Sequence, residues 1–183
     1  MDFTKKAIIK EFSQLLDEKP MNKITIKDIV GRCNISRNTF YYHFQDIPAL
    51  FEQMMEEKTD QLLQKHYQPN QPIECINPML EYGLSHKRAV LHVYRAVPQE
   101  TFLGYINRIT QHFVEEYITN ATAGQSIPAE TVDVTIHFYR CAIVGLLLDW
   151  LDTGMSHDAF ALSQRICFLF EGTGRLALSR RTE

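Results

Sequence analysis

The 183-residue sequence predicts an all-α protein of about nine helices: a short three-helix head at the N-terminus, then a larger helical body. Two observations carry that class. Apolar residues recur at three- and four-residue steps through most of the chain, and strand-like alternation runs nowhere far. Caps, prolines and glycines fall between the periodic segments, where helices must start and stop. A third observation sets the head apart. Between residues 25 and 44 a short helix, a turn containing a glycine and a second short helix follow one another closely, as in a helix-turn-helix unit.

The elements follow in order. The first helix covers residues 4–17, with Ala7, Ile8, Phe12, Leu15 and Leu16 on its apolar side. Pro20 in "EKPMNK" ends it. Thr25 is an N-cap for "IKDIVGRC", with Asp28 as an acid in the first turn. Gly31 to Ile35 reads as the turn, and Ser36 caps "RNTFYYHF". After "QDIP" a long helix runs from about Pro48 towards His66, and "YQPNQP" (67–72) is a loop. Asn77 and Pro78 look like a cap and a first-turn proline for a helix to about Ser85. "HKRAVLHVYRAV" is a short helix stopped near Pro98, and "QETFLGYINRITQHFVEEYI" is long and amphipathic. "TNATAGQSIP" (119–128) is the clearest linker. Two strong helices close the chain, at about 128–151, ended by Gly154, and 156–171. The division drawn from this order is a DNA-binding head, 1–46, and an effector-binding and dimerisation body, 47–183.

Composition narrows the class. An apolar fraction of 45% and a charged fraction of 22% fit a globular protein with a proper core. No uninterrupted apolar run approaches the roughly 18 residues of a membrane span; "CAIVGLLLDWL" is short and broken by Asp149. The N-terminus lacks the pattern of a signal peptide, so a cytoplasmic protein without a membrane partner is expected. Four scattered cysteines without a C-x-x-C pair do not suggest a zinc ribbon or a disulfide framework. The net charge of −3 is unevenly spread: residues 1–50 hold eight basic and six acidic side chains, the remainder eleven and sixteen. A mildly basic head on an acidic body agrees with nucleic-acid binding by the head.

"SRNTFYYHF" (36–44) carries the chemistry. On a helix, Phe40 and Phe44 share one face and serve the core. Ser36, Arg37, Asn38, Thr39, Tyr41, Tyr42 and His43 remain for another surface. The second helix of a helix-turn-helix lies in the DNA major groove. Arg37 can fork onto guanine, Asn38 can pair with adenine, and Thr39 can meet a base or a thymine methyl. Tyr42 and His43 carry single donors suited to phosphates. Thr25 places a hydroxyl at the preceding helix start, and Lys23 and Lys27 add counterion release.

"ITIKDIVGRCNISRNTFYYHFQDIPALFEQM" resembles the DNA-binding region of the TetR (tetracycline repressor-like) family of bacterial regulators, a match over roughly residues 4–54. The family pattern T-x-x-x-I-a-x-x-a-g-(V/I)-S-x-x-T-(F/L)-Y-x-(H/Y)-F is almost entire here. The resemblance implies DNA contact by Thr39, Tyr42 and His43, and dimerisation through the last two helices. One departure stands out. Where the family often has a phosphate-gripping lysine, this chain has Ile47. "DWLDTGM" also resembles a subset related to activators of dihydroxyacetone kinase operons.

In the body, Val132, Ile136, Tyr139, Ile143, Leu146 and Trp150 are spaced by four and three, a heptad-like seam. Phe160, Cys167 and Phe170 repeat the theme on the last helix. These residues are expected to join a second copy in a four-helix bundle, so that a homodimer grips two half-sites of double-stranded operator DNA. His92, Arg95, Tyr105, His112, His137, Tyr139 and Arg140 are candidates for an unidentified small-molecule effector. His137 and Cys141, four apart, are half of a possible metal site, so no metal or cofactor is assigned. No nucleotide loop, nucleophile elbow or paired-carboxylate signature suggests an enzyme. The function expected is transcriptional repression modulated by an effector. The alternatives are a DNA-binding activator or co-regulator whose body takes a partner protein, and a metal sensor.

Overall fold

The structure, a computed structural model, describes residues 3–68 and 71–169. These form nine α-helices and no strand: α1 (Phe3–Glu18), α2 (Ile26–Cys33), α3 (Arg37–His43), α4 (Ile47–His66), α5 (Ile73–Ser85), α6 (Lys87–Ala96), α7 (Gln99–Thr122), α8 (Ala129–Asp152) and α9 (Ala159–Leu169). The all-α class is as the periodicity predicts. A 3₁₀ turn, Met21–Lys23, links α1 to α2.

Three local features differ from the sequence reading. Gly31 lies inside α2, and the turn is made instead by Asn34 in the left-handed region (φ 53°). There the Asn34 N–H donates to Val30 O and the Ile35 N–H to the same carbonyl at 3.1 Å. Asn tolerates this backbone conformation better than most residues, which is why it can close a helix. Second, α5 begins before Asn77 and carries Pro78 in its interior. The Glu74 N–H donates to Gln71 O and the Cys75 and Ile76 N–H groups to Pro72 O, so the helix is already under way when Pro78 is reached. Third, α7 runs on to Thr122 and takes up the first part of the expected linker; Gly124 (φ 76°) follows its end.

The chain groups into two compact units. The first comprises Met1–Glu57 and Ser85–Tyr105, the second Lys58–Leu84 and Ile106–Glu183. The first unit therefore holds more than residues 1–46: it includes the first half of α4, all of α6 and the start of α7. Its core is Ile8, Phe12, Leu15 and Leu16 of α1, Ile29 of α2, Phe40 of α3, Leu50 of α4 and Val93 of α6, with Phe44 beside them. Each such side chain contributes roughly 1.5–3 kcal/mol of apolar burial. α1 packs against both α2 and α6, and α2 against α3.

α1 and α6 are also joined by polar contacts at their C-terminal ends. The helical partner of Leu16 O would be the N–H of residue 20, but that residue is Pro20, which has none. His92 Nδ1, on α6, supplies the bond at 2.8 Å. A carbonyl only accepts, so this contact assigns the proton to Nδ1. Pro98 stops the chain from continuing α6, and Ala96 O accepts from Asn22 Nδ2 at 3.1 Å. Each helix end is thus capped by a side chain from the other's neighbourhood.

In the second unit Leu63, Cys75, Phe113, Val114 and Ile118 form the centre of a cluster. Tyr67 and Tyr117 stack against each other with centroids 5.3 Å apart. Burial pushes the Tyr117 phenol well above its ordinary range, and its hydroxyl donates to Gln68 O at 3.2 Å. α8 ends at Asp152 with Thr153 as its cap; Gly154 (φ 66°) follows, its N–H donating to Leu151 O, while the Met155 N–H donates to Trp150 O at 2.7 Å. By length and composition α8 is apolar enough to cross a membrane, with a mean hydropathy of 1.4 over its most apolar window. Reading uninterrupted runs missed this, because His137 and Arg140 break the run without outweighing their neighbours.

Candidate nucleic-acid interface

The site is the outer side of α2 and α3. Thr25 caps α2 in a capping box: its hydroxyl accepts from the Asp28 N–H at 3.2 Å, and its own N–H donates to Asp28 Oδ2 at 2.8 Å. The Thr25 hydroxyl also donates to that carboxylate at 2.7 Å. Lys19 Nζ reaches the same oxygen at 2.9 Å. The Lys19 bond, then the two from Thr25, hold Asp28 well below the usual carboxylate range. With its proton committed to Asp28, the Thr25 hydroxyl has none to give a phosphate. The exposed Lys27 is the donor this helix start retains, with exposed Lys23 before it.

α3 is seven residues long and capped by Ser36, whose Oγ accepts from the Thr39 N–H at 3.0 Å. The Ser36 and Thr39 hydroxyls lie 2.9 Å apart, so one of their two protons is shared between them and one is left for a ligand. Phe40 and Phe44 are buried, as their spacing predicts. Arg37 and Asn38 are exposed; Tyr41 and Tyr42 are 55% and 84% exposed. His43 is half-buried with its ring edge against Tyr42, centroids 5.0 Å apart. An exposed aromatic face beside a guanidinium and an amide can make base contacts at one end and phosphate contacts along its flank.

The turn after α3 adds a group that the sequence reading passed over. Asp46 caps α4 by accepting from the Ala49 N–H at 2.8 Å. Ile47, half-buried, is the first residue of α4. The signal for Asp46 was present, since an aspartate three residues before Ala49 is an ordinary N-cap spacing.

The body candidates are not brought together as one set. His92, Arg95 and Tyr105 belong to the first unit, and His112, His137, Tyr139 and Arg140 to the second. His92 is engaged with α1, Arg95 is exposed, and Tyr105 is buried against the Phe51 ring. His112 Nε2 meets Asp60 Oδ1 at 2.7 Å. Arg140 bonds Asn107 and reaches His137 Nδ1 at 3.1 Å and Cys141 Sγ at 3.8 Å. His137 Nε2 and Cys141 Sγ lie 3.7 Å apart with that cation beside both. Among the described residues no three His, Cys, Asp or Glu side chains converge as a metal site. Sequence reasoning overlooked Tyr67 and Asn77, whose Oη and Oδ1 are buried without a hydrogen-bond partner among the described residues.

On α8 the expected seam and the exposed face are different stripes. Val132, Ile136, Tyr139 and Ile143 pack on the second unit's own cluster, and Trp150 is 5% exposed. Leu146 is 40% exposed. The open stripe lies on the opposite side at 3.6 residues per turn: Val134 (64% exposed), Phe138 (59%), Cys141 and Gly145. Phe160 and Cys167 of α9 are half-buried, and Phe170 lies outside the described residues. The large exposed apolar residues of α9 are Leu162, Phe168 and Leu169. Spacing identifies an apolar stripe, but a helix apolar on two sides has two, and only packing tells them apart.

A three-helix head that presents a capped, aromatic-faced second helix defines a helix-turn-helix DNA-binding protein. The family model for bacterial regulatory proteins of the tetR family matches residues 8–54, and the model for a transcriptional regulator C-terminal region matches residues 70–172. The chain belongs to the TetR family of bacterial regulatory proteins. It is 26% identical over 173 residues to YxbF of Bacillus subtilis (strain 168), an uncharacterised HTH-type transcriptional regulator; the match covers 88% of this chain and 43% of that protein. The chain thus spans less than half the length of that relative. Solved structures share the fold. The dihydroxyacetone kinase operon activator DhaS superposes with a TM-score of 0.66 at 17% identity, over 95% of this chain and 97% of its own. The fatty acid degradation regulator FadR from Bacillus halodurans gives 0.62 at 14% identity, over 99% of each chain. A tetR-family regulator from Streptomyces coelicolor gives 0.60 at 17%, over 91% of this chain and 80% of that one.

Proposed function

We propose that the protein is a homodimeric, cytoplasmic repressor that reads an operator through α3 and is released by an effector bound in the body. The observation that carries the reading is the exposed face of α3, where Arg37 and Asn38 stand beside Tyr41 and Tyr42 while Phe40 and Phe44 are in the core. Arg37 and Asn38 take base edges. Tyr42 and His43 take phosphates, with Lys23 and Lys27 adding charge. Repression asks only for occupancy of the site; activation needs a further surface for polymerase. A second copy covers Val134, Phe138 and Gly145, since an unpartnered apolar stripe of this kind suits an isologous interface. Tyr67 Oη and Asn77 Oδ1, two buried groups without a hydrogen-bond partner among the described residues, are the polar contacts we assign to the effector. An effector acts by binding the DNA-incompetent state more tightly, and shifts operator affinity by that difference alone. No catalytic role is assigned.

Binding to the gene's own upstream DNA, followed by fluorescence anisotropy, tests the reading. Tyr42→Phe should weaken all sequences alike, by at most roughly 1.5–3 kcal/mol, the range of a hydrogen bond to a charged group. Arg37→Ala should instead flatten the preference between operator and scrambled DNA. Unchanged affinity and preference in both variants would remove α3 as the reading helix.

A further inference from the structure

We propose that Asp46 limits DNA affinity by its charge: it holds a negative charge near the DNA backbone at the end of the reading helix and weakens binding to every sequence, so that non-specific DNA stays unoccupied at concentrations where base contacts still hold the operator. The inference rests on the reading of α3 given above. Three observations support it.

The first is the state of the carboxylate. Asp46 is exposed, and its hydrogen bond is to the Ala49 N–H, not to a cation. Among the described residues no basic side chain pairs with it. The cap fixes its position but leaves its charge in place.

The second is distance. Asp46 follows His43, the last residue of α3, by three positions. Consecutive Cα atoms are about 3.8 Å apart, so the two backbones are separated by at most about 11 Å. The Debye length at 0.1 M salt is about 10 Å. The Asp46 backbone therefore lies about one Debye length or less from the end of α3, near enough for its charge to act on phosphates bound at that end.

The third is how few cations oppose it. Lys19 is spent on Asp28, and Arg32 on Glu18, with Arg32 Nη1 2.9 Å from Glu18 Oε1. Lys5 is spent on Glu57 at 2.8 Å. Across the turn, α2 and α3, the cations outside these pairs are Lys23, Lys27 and Arg37. Each phosphate neutralised contributes a slope of about −0.9 in log affinity against log salt. With Arg37 assigned to base edges, Lys23 and Lys27 supply two such contacts, and against two, one opposing charge at the groove wall is a sizeable fraction. Base contacts by Arg37 and Asn38 are paid only on the right sequence, whereas the repulsion applies on every sequence. Such a uniform penalty leaves the ratio of specific to non-specific binding unchanged but weakens both, so that at a given protein concentration only a sequence that adds base contacts is occupied.

Asp46→Asn tests the idea in the 183-residue chain, because asparagine keeps the N-cap and removes only the charge. The probe is a random-sequence 30-base-pair duplex, with anisotropy measured from low to physiological salt. The expected result is several-fold tighter binding by Asp46→Asn at low salt, a steeper salt slope and an unchanged thermal midpoint. Asp46→Ala should show the same gain in affinity with a lower midpoint, separating charge from cap. Wild-type and Asp46→Asn curves that coincide at every salt would overturn the inference and leave the reading of α3 standing. Wild-type protein that binds no duplex at low salt would overturn both.

Discussion

Asn34 and Gly31 show how much a single residue can hide. The sequence placed the turn correctly but credited it to the glycine; the helix runs through Gly31 and turns at Asn34. No atom lies within 4 Å of where a Gly31 Cβ would sit. Gly31→Ala should therefore stabilise the head by roughly 0.5–1 kcal/mol, read as a higher urea midpoint at unchanged slope. The caps of α2 and α3 were legible because Thr25 and Ser36 act through neighbours three residues away. The proton lent by the Thr25 hydroxyl to Asp28 was not legible, since spacing does not say which atom donates. That carboxylate also gives the head a pH dependence. Lys19 and Thr25 depress Asp28, and Arg32 depresses Glu18, so both bind protons more readily in the unfolded chain. Their contribution is present above about pH 4 and is lost as pH falls below it towards the folded values. Thermal midpoints taken from pH 6 down to 3 should fall, and Asp28→Asn should fall less steeply.

Helices were legible wherever periodicity and caps agreed, and their ends shifted where a carbonyl found an early partner. α5 is the clearest case: Asn77–Pro78 has the composition of a start, but the Gln71 and Pro72 carbonyls begin the helix first. The face that each helix buries was harder. For α8 a stripe of correct spacing turned out to be the inner one. The contacts between α1 and α6 could not be read at all, because the bonding partners are more than seventy residues apart. They predict an order of effects. His92→Ala leaves the part-buried Leu16 carbonyl without a donor and should cost about 1–3 kcal/mol of stability. Asn22→Ala exposes Ala96 O to water and should cost less, about 0.5–1 kcal/mol. Urea unfolding of both variants checks the order; equal losses would mean that the His92 bond is not special.

For the proposed dimer, the decisive surface is the outer stripe of α8. Phe138→Glu puts a charge in the middle of it without touching the inner stripe. Sedimentation should show a dimer for the wild type and a monomer of normal helicity for the variant, with operator affinity falling because one head grips one half-site. A dimer that survives Phe138→Glu would place the contact elsewhere. The paired caps of α1 and α6 have a different consequence, for biosynthesis and for descent. α1 leaves the ribosome first, and the side chain that completes its end is 76 residues behind it. The first unit of this chain therefore closes the end of α1 only after α6 has been made. A chimaera cut after α3 or within α4 would inherit a head with an open carbonyl, and the donor body would keep an α6 with nothing to cap. A head taken from this chain keeps both caps only if α6 is carried along, so the unit that folds with its ends closed is discontinuous in the gene.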